Sequence, residues 1–204
     1  MSETENNSTV VDLIRHGEPM GGERYRGHGV DDPLSERGWA QMWAAIGHTF
    51  PWDRIVSSPL LRCRAFAEAL AERANIPCAI DDRFREVGFG SWEGRTAEEV
   101  AAADPEGFRA FYADPVKNRP EDAEPLYDFL ERISAAYEDT RRTYAGSHIL
   151  IVAHAGVIRA VTAAILDAPV EAIYRQRIDN AGMVRVRHAD SGRVVLEGVN
   201  IRMT

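Results

Sequence analysis

Short runs of the kind that form buried strands recur along this chain, and each is followed by a stretch with helical spacing. The runs are VVDLI (10–14), RIVS (54–57), the weaker CAI (78–80) and HILIVA (148–153). Strands that alternate with helices predict a layered α/β fold with a largely parallel sheet. Ser35 caps a predicted helix reaching about Phe50, with Trp39, Met42, Trp43 and Ile46 at helical spacing. Ser58-Pro59 reads as a cap followed by proline in the first turn of a helix that carries Leu60, Leu61, Phe66 and Leu70. Thr96 to Glu99 is a capping box, and Asp104-Pro105 opens another helix that Pro115 ends. Leu126, Phe129, Leu130, Ile133 and Tyr137 mark a long amphipathic helix that stops at Gly146. A helix over 155–167 follows the HILIVA strand, and two last strands flank an Asp190-Ser191-Gly192 turn.

A chain of 204 residues, 45% of them hydrophobic, has enough length for one compact domain, assigned to 10–204. Residues 1–9 are polar and acidic, without an apolar core, and read as a disordered tail rather than a signal peptide. No stretch approaches the roughly 18 apolar residues of a membrane span, so a cytoplasmic protein is expected. Cys63 and Cys78 stand outside any CxxC and read as packed, reduced thiols. A net charge of −8 argues against a nucleic-acid partner, because phosphate neutralisation needs a basic face. It does not bar a small anionic ligand held by local arginines. No HxH or HExxH spacing points to a metal, and no cofactor is expected.

The unusual residues fall at the strand ends. Arg15-His16 closes the first strand, Ser58 and Arg62 follow the second, and His154 follows HILIVA. In open parallel sheets the carboxyl ends of the strands share one edge, where ligands bind. Three distant segments therefore bring Arg15, His16, Arg62 and His154 to one crevice. Gly17 and Gly156 allow close backbone approach beside each histidine, and helix starts at Pro59 and Ala155 would add N–H groups. The ligand this predicts is a phosphate or another compact anion.

A neutral histidine can attack phosphorus if its other nitrogen is held by an acceptor such as a backbone carbonyl. Arginines match phosphoryl oxygens bidentately and keep their charge, so Arg15 and Arg62 are the expected clamp, with a protonated His154 as a further donor. The leaving alkoxide needs an acid. Glu86, between arginine-rich and apolar residues in DRFREVGFGSWEG (81–94), is the candidate, and Glu93 is the other carboxylate of that loop. A surface ion pair with Arg83 or Arg85 is the competing reading for Glu86.

LIRHGEP (13–19), DDPLSERG (31–38), SSPLLRC (57–63), EVGFGSWEG (86–94) and VAHAGVIRA (152–160) together resemble the histidine phosphatase family, in family order. The resemblance implies a three-layer α/β/α sandwich with a mostly parallel central sheet and metal-independent chemistry through a phosphohistidine. It implies His16 as nucleophile, Glu86 as proton donor, and Arg15, Arg62 and His154 as phosphoryl ligands. Arg26-Gly27 fall where the family often has a small polar residue and glycine near the phosphate. Two positions depart from the family pattern. Gly22 stands where asparagine is frequent, so one phosphate contact is either lost or supplied by Arg24 or Arg26. Ala123-Glu124-Pro125 replaces a glycine-glutamate-serine, which leaves the role of Glu124 open.

The short segment between Gly94 and Leu126 favours a phosphatase over the mutases, which carry a longer insertion there. RCRAFAEAL, GFGSWEG and YRQRIDNAGMVRV look most like the α-ribazole phosphatase branch. The expected partner is a small phosphorylated metabolite, with α-ribazole 5′-phosphate as one substrate. A mutase-like phosphoryl transferase and a catalytically silent phosphate-binding module are the alternatives. The oligomeric state stays open, a homodimer being one option. Specificity is assigned to 105–125. There Phe108, Phe111 and Tyr112 read first as core and second as a substrate platform, Lys117 and Arg119 read as solvated, and His28 is a candidate for the pocket mouth.

Overall fold

The computed structural model describes residues 8–203. Of the expected N-terminal tail, residues 1–7 lie outside that span, while Thr9 already belongs to the first strand. The strands are β1 (Thr9–Arg15), β2 (Arg54–Ser57), β3 (Cys78–Ile80), β4 (His148–Ala153), β5 (Met183–His188) and β6 (Val194–Ile201). The helices are α1 (Glu36–Ile46), α2 (Leu61–Ala74), α3 (Ala97–Ala103), α4 (Pro105–Ala113), α5 (Leu126–Thr143) and α6 (Ala155–Ile165). One sheet runs in the order β3-β2-β4-β1-β5-β6, parallel from β3 to β1 and antiparallel at β5 and β6.

The alternation of side chains along each strand divides the core in two. Val11, Leu13, Val56, Ile149 and Ile151 face one cluster with Phe129 and Ile133 of α5 and Val157 and Ile158 of α6. Ile14, Ile55, Leu150 and Val152 face the other, with Met42 of α1 and Phe66 and Leu70 of α2. Helices therefore cover both faces, which is the expected α/β/α sandwich. No helix among the described residues is long and apolar enough to cross a membrane.

Local signals place most helix ends. Ser35 accepts from the Gly38 N–H, and the Thr96–Glu99 capping box is complete. Asp104 accepts from the Gly107 N–H, with Pro105 in the first turn of α4. Two ends differ from expectation. α1 stops at Ile46 because Gly47 takes φ +66, short of Phe50. α2 begins at Leu61 rather than Pro59, and Ser58 does not cap it. Its first N–H donates instead to Asp31 Oδ1 at 2.7 Å, a residue thirty positions upstream.

Strand register builds the site. Arg15 pairs with Ala153, and Ser57 with Val152, so the residues just beyond β1, β2 and β4 emerge side by side. Because β5 runs antiparallel to β1, its start lies at this same edge. The Gly182 carbonyl accepts from the Arg15 N–H, and the His16 carbonyl accepts from the Ala181 N–H.

Candidate active site

A cavity of about 280 Å³ opens at that edge. Arg15, His16, Arg62, Glu86, Arg24, Arg26 and Gly27 all line it, with Arg159, Tyr174 and Asn180 among the others. The His16 and His154 rings meet edge to face, with centroids 5.2 Å apart.

His16 is 6% exposed. Its Nδ1 lies 2.7 Å from the Gly17 carbonyl oxygen. A carbonyl only accepts, so Nδ1 carries the proton and Nε2 keeps a free lone pair. Burial, then the Arg62 and Arg15 charges, hold the imidazole well below its ordinary pKa, so it is neutral at physiological pH. Gly17 has no room for a side chain, since a Cβ there would sit 2.2 Å from the Gly38 carbonyl oxygen.

His154, fully buried, approaches Ser58 Oγ through Nε2 at 2.7 Å. The same hydroxyl accepts from the Leu60 N–H at 3.3 Å, so Ser58 is a bracket for the imidazole. His154 was expected to be protonated. It does not line the cavity but lies buried behind His16, where burial, then Arg62, His16 and Arg15, drive it well below its usual pKa, and it is neutral. Cys63 is buried beside it and donates to the Ala153 carbonyl; burial raises the thiol pKa strongly, so it stays a thiol.

Arg62 is 1% exposed, and its terminal nitrogens are committed to backbone. Nη1 donates to the Val30 carbonyl at 2.9 Å and Nη2 to the Gly27 carbonyl at 2.7 Å. Arg15 Nη1 donates to the Ile178 carbonyl at 2.7 Å. In both arginines the buried Nε has no hydrogen-bond partner among the described residues. Two orphaned cationic N–H groups in one cavity are costly unless an anion satisfies them. Burial lowers the Arg15 pKa to about 10, with Glu86 opposing, so the guanidinium stays charged at neutral pH.

Glu86 Oε1 accepts from the Val87 N–H at 3.0 Å and Oε2 from the Gly156 N–H at 3.1 Å. Arg83 pairs with Asp81 and Asp139 instead, and among the described residues no ion pair joins Glu86 to Arg83 or Arg85. One amide at the start of each of α2 and α6, those of Leu61 and Gly156, is thus engaged by a carboxylate, Asp31 and Glu86 respectively.

Several other assignments change. Arg26 is buried, with Nε on Asp32 Oδ2 at 2.9 Å and Nη2 on the Met20 carbonyl at 2.6 Å. Arg24 is exposed and tied to the Gly21 and Gly94 carbonyls. Gly27 takes φ +52, Glu93 fills the space its side chain would need, and the Glu93 carboxylate accepts from the Gly29 and Phe89 N–H groups. Arg119 is not solvated: it donates to the Gly88 and Glu124 carbonyls and to Tyr174 Oη, and lies over the Phe89 and Phe111 rings. Lys117 is exposed beside Asp114, as expected. His28 does not line the cavity, but its Nδ1 holds the Glu86 carbonyl at 3.0 Å. Glu124 forms a two-pronged pair with Arg132, whose other bonds go to the Arg83, Arg85 and Glu86 carbonyls, so it braces the Glu86 loop. Phe111 and Tyr112 line the cavity while Phe108 packs against the core. Sequence reasoning missed Ser58 as the His154 partner, and it missed Arg159, Tyr174 and Asn180 as lining residues.

The same arrangement of chain recurs in other proteins. The chain is 34% identical over 175 residues to a bifunctional protein of Mycobacterium tuberculosis, a match covering 84% of this chain and spanning about half, 48%, of that relative. It is 32% identical over 195 residues to phosphoserine phosphatase 1 of Hydrogenobacter thermophilus, covering 93% of this chain and 90% of the relative. The solved structure of an alpha-ribazole phosphatase from Shigella flexneri shares the fold, with a TM-score of 0.80 over 96% of this chain and 99% of that one, at 24% identity. The model of the histidine phosphatase superfamily (branch 1) matches residues 11–201, a span that holds every residue of the cavity, and the chain belongs to that superfamily.

Proposed function

We propose that this chain hydrolyses a small phosphomonoester through a phosphohistidine on His16. One observation carries the reading: a neutral imidazole with a free Nε2 lines a cavity where two buried arginine N–H groups lack partners among the described residues, and a second, fully buried imidazole lies 5.2 Å from it. Superfamily membership and the phosphatase among the relatives support it.

In the first step His16 Nε2 attacks phosphorus, the N–P bond forms and the ester P–O bond breaks. The proton that neutralises the departing alkoxide comes from Glu86. Arg15 and Arg62 offer their Nε–H groups to the phosphoryl oxygens, and the arriving dianion favours protonation of His154 against them. In the second step the Glu86 carboxylate takes a proton from water, the water oxygen attacks phosphorus, the N–P bond breaks and orthophosphate leaves. No step calls for a metal, so turnover is expected to resist chelators. α-Ribazole 5′-phosphate belongs to the class of esters to be tried.

The test is hydrolysis of radiolabelled nitrophenyl phosphate with chelator present, with an alkaline detergent quench of the enzyme to trap label. Wild type should turn over and yield an acid-labile, base-stable phosphoprotein, and His16→Ala should do neither while keeping its circular dichroism. Undiminished hydrolysis by His16→Ala would reject the nucleophile. Transfer to a phosphorylated acceptor faster than to water would make the chain a mutase.

A further inference from the structure

Two of the stretches that line the cavity are residues 22–27 and the Phe111-Tyr112 pair of α4. They meet at one hydrogen bond, between Tyr25 Oη and Tyr112 Oη at 2.7 Å. Among the described residues it is the only hydrogen bond from α4 to anything outside 104–118; the others run to Asp104, Asp114 and Asn118.

The two partners are held very differently. Tyr25 is fixed. Its N–H donates to the Arg95 carbonyl at 2.9 Å, its carbonyl accepts from the Gly94 N–H at 2.7 Å, and its ring packs on Phe89 and Trp92 at 5.1 and 5.0 Å. Burial, then the bond to Tyr112, push its hydroxyl well above the ordinary tyrosine pKa, so it stays a neutral group at physiological pH. On α4 the buried Phe111 anchors the helix against Trp92 and Tyr174. Tyr112, the next residue, is 54% exposed and yet lines the cavity, so its ring stands at the rim. An exposed side chain changes rotamer freely unless something holds it. Here the holder is the Tyr25 hydroxyl. The enclosed volume, about 280 Å³, lies at the small end of ligand pockets, so a ring pinned at the rim decides how large a ligand enters.

We infer that Tyr112 is a size gate for the leaving group and that its hydrogen bond to Tyr25 is the latch that keeps the gate closed. The inference rests on the phosphatase reading of the same site. The probes are phenyl phosphate and 1-naphthyl phosphate, which differ by one fused ring and whose leaving groups depart without a proton. Wild type should favour the phenyl ester in kcat/KM by about tenfold or more. Tyr112→Ala, which removes the gate, should bring the ratio towards one by raising the naphthyl rate. Tyr112→Phe and Tyr25→Phe keep both rings and remove only the bond, so each should relax the ratio by about threefold, the worth of one net hydrogen bond. Because both variants break the same bond, the double variant should relax it no further than either alone. A wild-type ratio near one, an unchanged ratio in either phenylalanine variant, or a double variant equal to the product of the singles would overturn the latch. Calorimetric titration of His16→Ala, with and without Tyr112→Phe, reads the same preference as a ratio of Kd for the two esters. If wild type hydrolyses neither ester nor nitrophenyl phosphate, the phosphatase reading fails, and the Kd ratio still decides for or against the gate.

Discussion

The proton-donor role of Glu86 can be tested without touching Glu86. Gly156 lies in the first turn of α6, and a Cβ built on it would sit 2.2 Å from Glu86 Oε1, 3.1 Å from Glu86 Cδ and 3.3 Å from Val87 Cγ1. Real Cβ contacts essentially never fall under 3.0 Å, so in Gly156→Ala the carboxylate must retreat by at least about 0.8 Å. The carboxylate yields because it ends a side chain, whereas the opposing atom belongs to a helix backbone. A misplacement near 1 Å costs about 100-fold in rate, or about 2.7 kcal/mol of barrier. The fold should survive. Alanine in a helix gains about 1 kcal/mol over glycine, which offsets part of the lost N–H contact to Oε2. A net change near 1 kcal/mol moves Tm by about 2–4 °C in a chain of this size. Steady-state kinetics on two esters read the result. An alkyl phosphate, whose alkoxide needs the proton, should lose about 100-fold in kcat. Nitrophenyl phosphate, whose phenolate leaves unaided, should lose less than about fivefold. Equal losses on both esters, or none, would refute the assignment of Glu86 as the acid.

Two further outcomes follow from the same geometry. His16 and His154 are both held far below the ordinary histidine pKa of 6.5 by burial and by Arg62. Above pH 6.5 they are neutral folded or unfolded and stability is complete; below it the unfolded chain gains two protons the folded one refuses, and stability falls by up to about 2.7 kcal/mol per pH unit. Urea midpoints from pH 7.5 to 5 measure this, a flat profile counts against neutral burial, and His16→Asn with His154→Asn should remove most of the slope, leaving the part due to His188, which burial also holds below its ordinary pKa. At Gly22, φ is +73 and a Cβ would meet nothing within 4 Å, a conformation asparagine tolerates. Gly22→Asn should therefore tighten inhibition by orthophosphate by about threefold to tenfold, the worth of one net hydrogen bond, and an unchanged inhibition constant would mean the added amide does not reach the anion.

The strand runs and the residues after them were readable because they depend on local pattern and connectivity. HILIVA alternates its side chains between two cores as β4, and a parallel βαβ chain has to return its strand ends to one edge. That reasoning located Arg15, His16, Arg62 and His154 together, whereas Glu86 was chosen from the 81–94 loop as the acid the chemistry needs. It failed where a local signal met a distant competitor. Ser58-Pro59 has the form of a helix start, yet Ser58 turns to His154, ninety-six residues away, and α2 is capped by Asp31.

The spacing of apolar residues and the order of elements sufficed, by themselves, to determine a layered sheet with cationic and imidazole side chains gathered at its carboxyl edge. Only the tertiary structure decided which of those cations remain free. Arg26 and Arg119 look as available in sequence as Arg15 and Arg159, but they are consumed by Asp32, by backbone carbonyls and by Tyr174. Asn180 reaches the cavity because β5 runs antiparallel and begins at that edge, a fact of pairing that no neighbour in sequence encodes. The charge of the histidines was settled there too, since burial and the nearest arginines, rather than adjacent residues, determine whether an imidazole holds its proton.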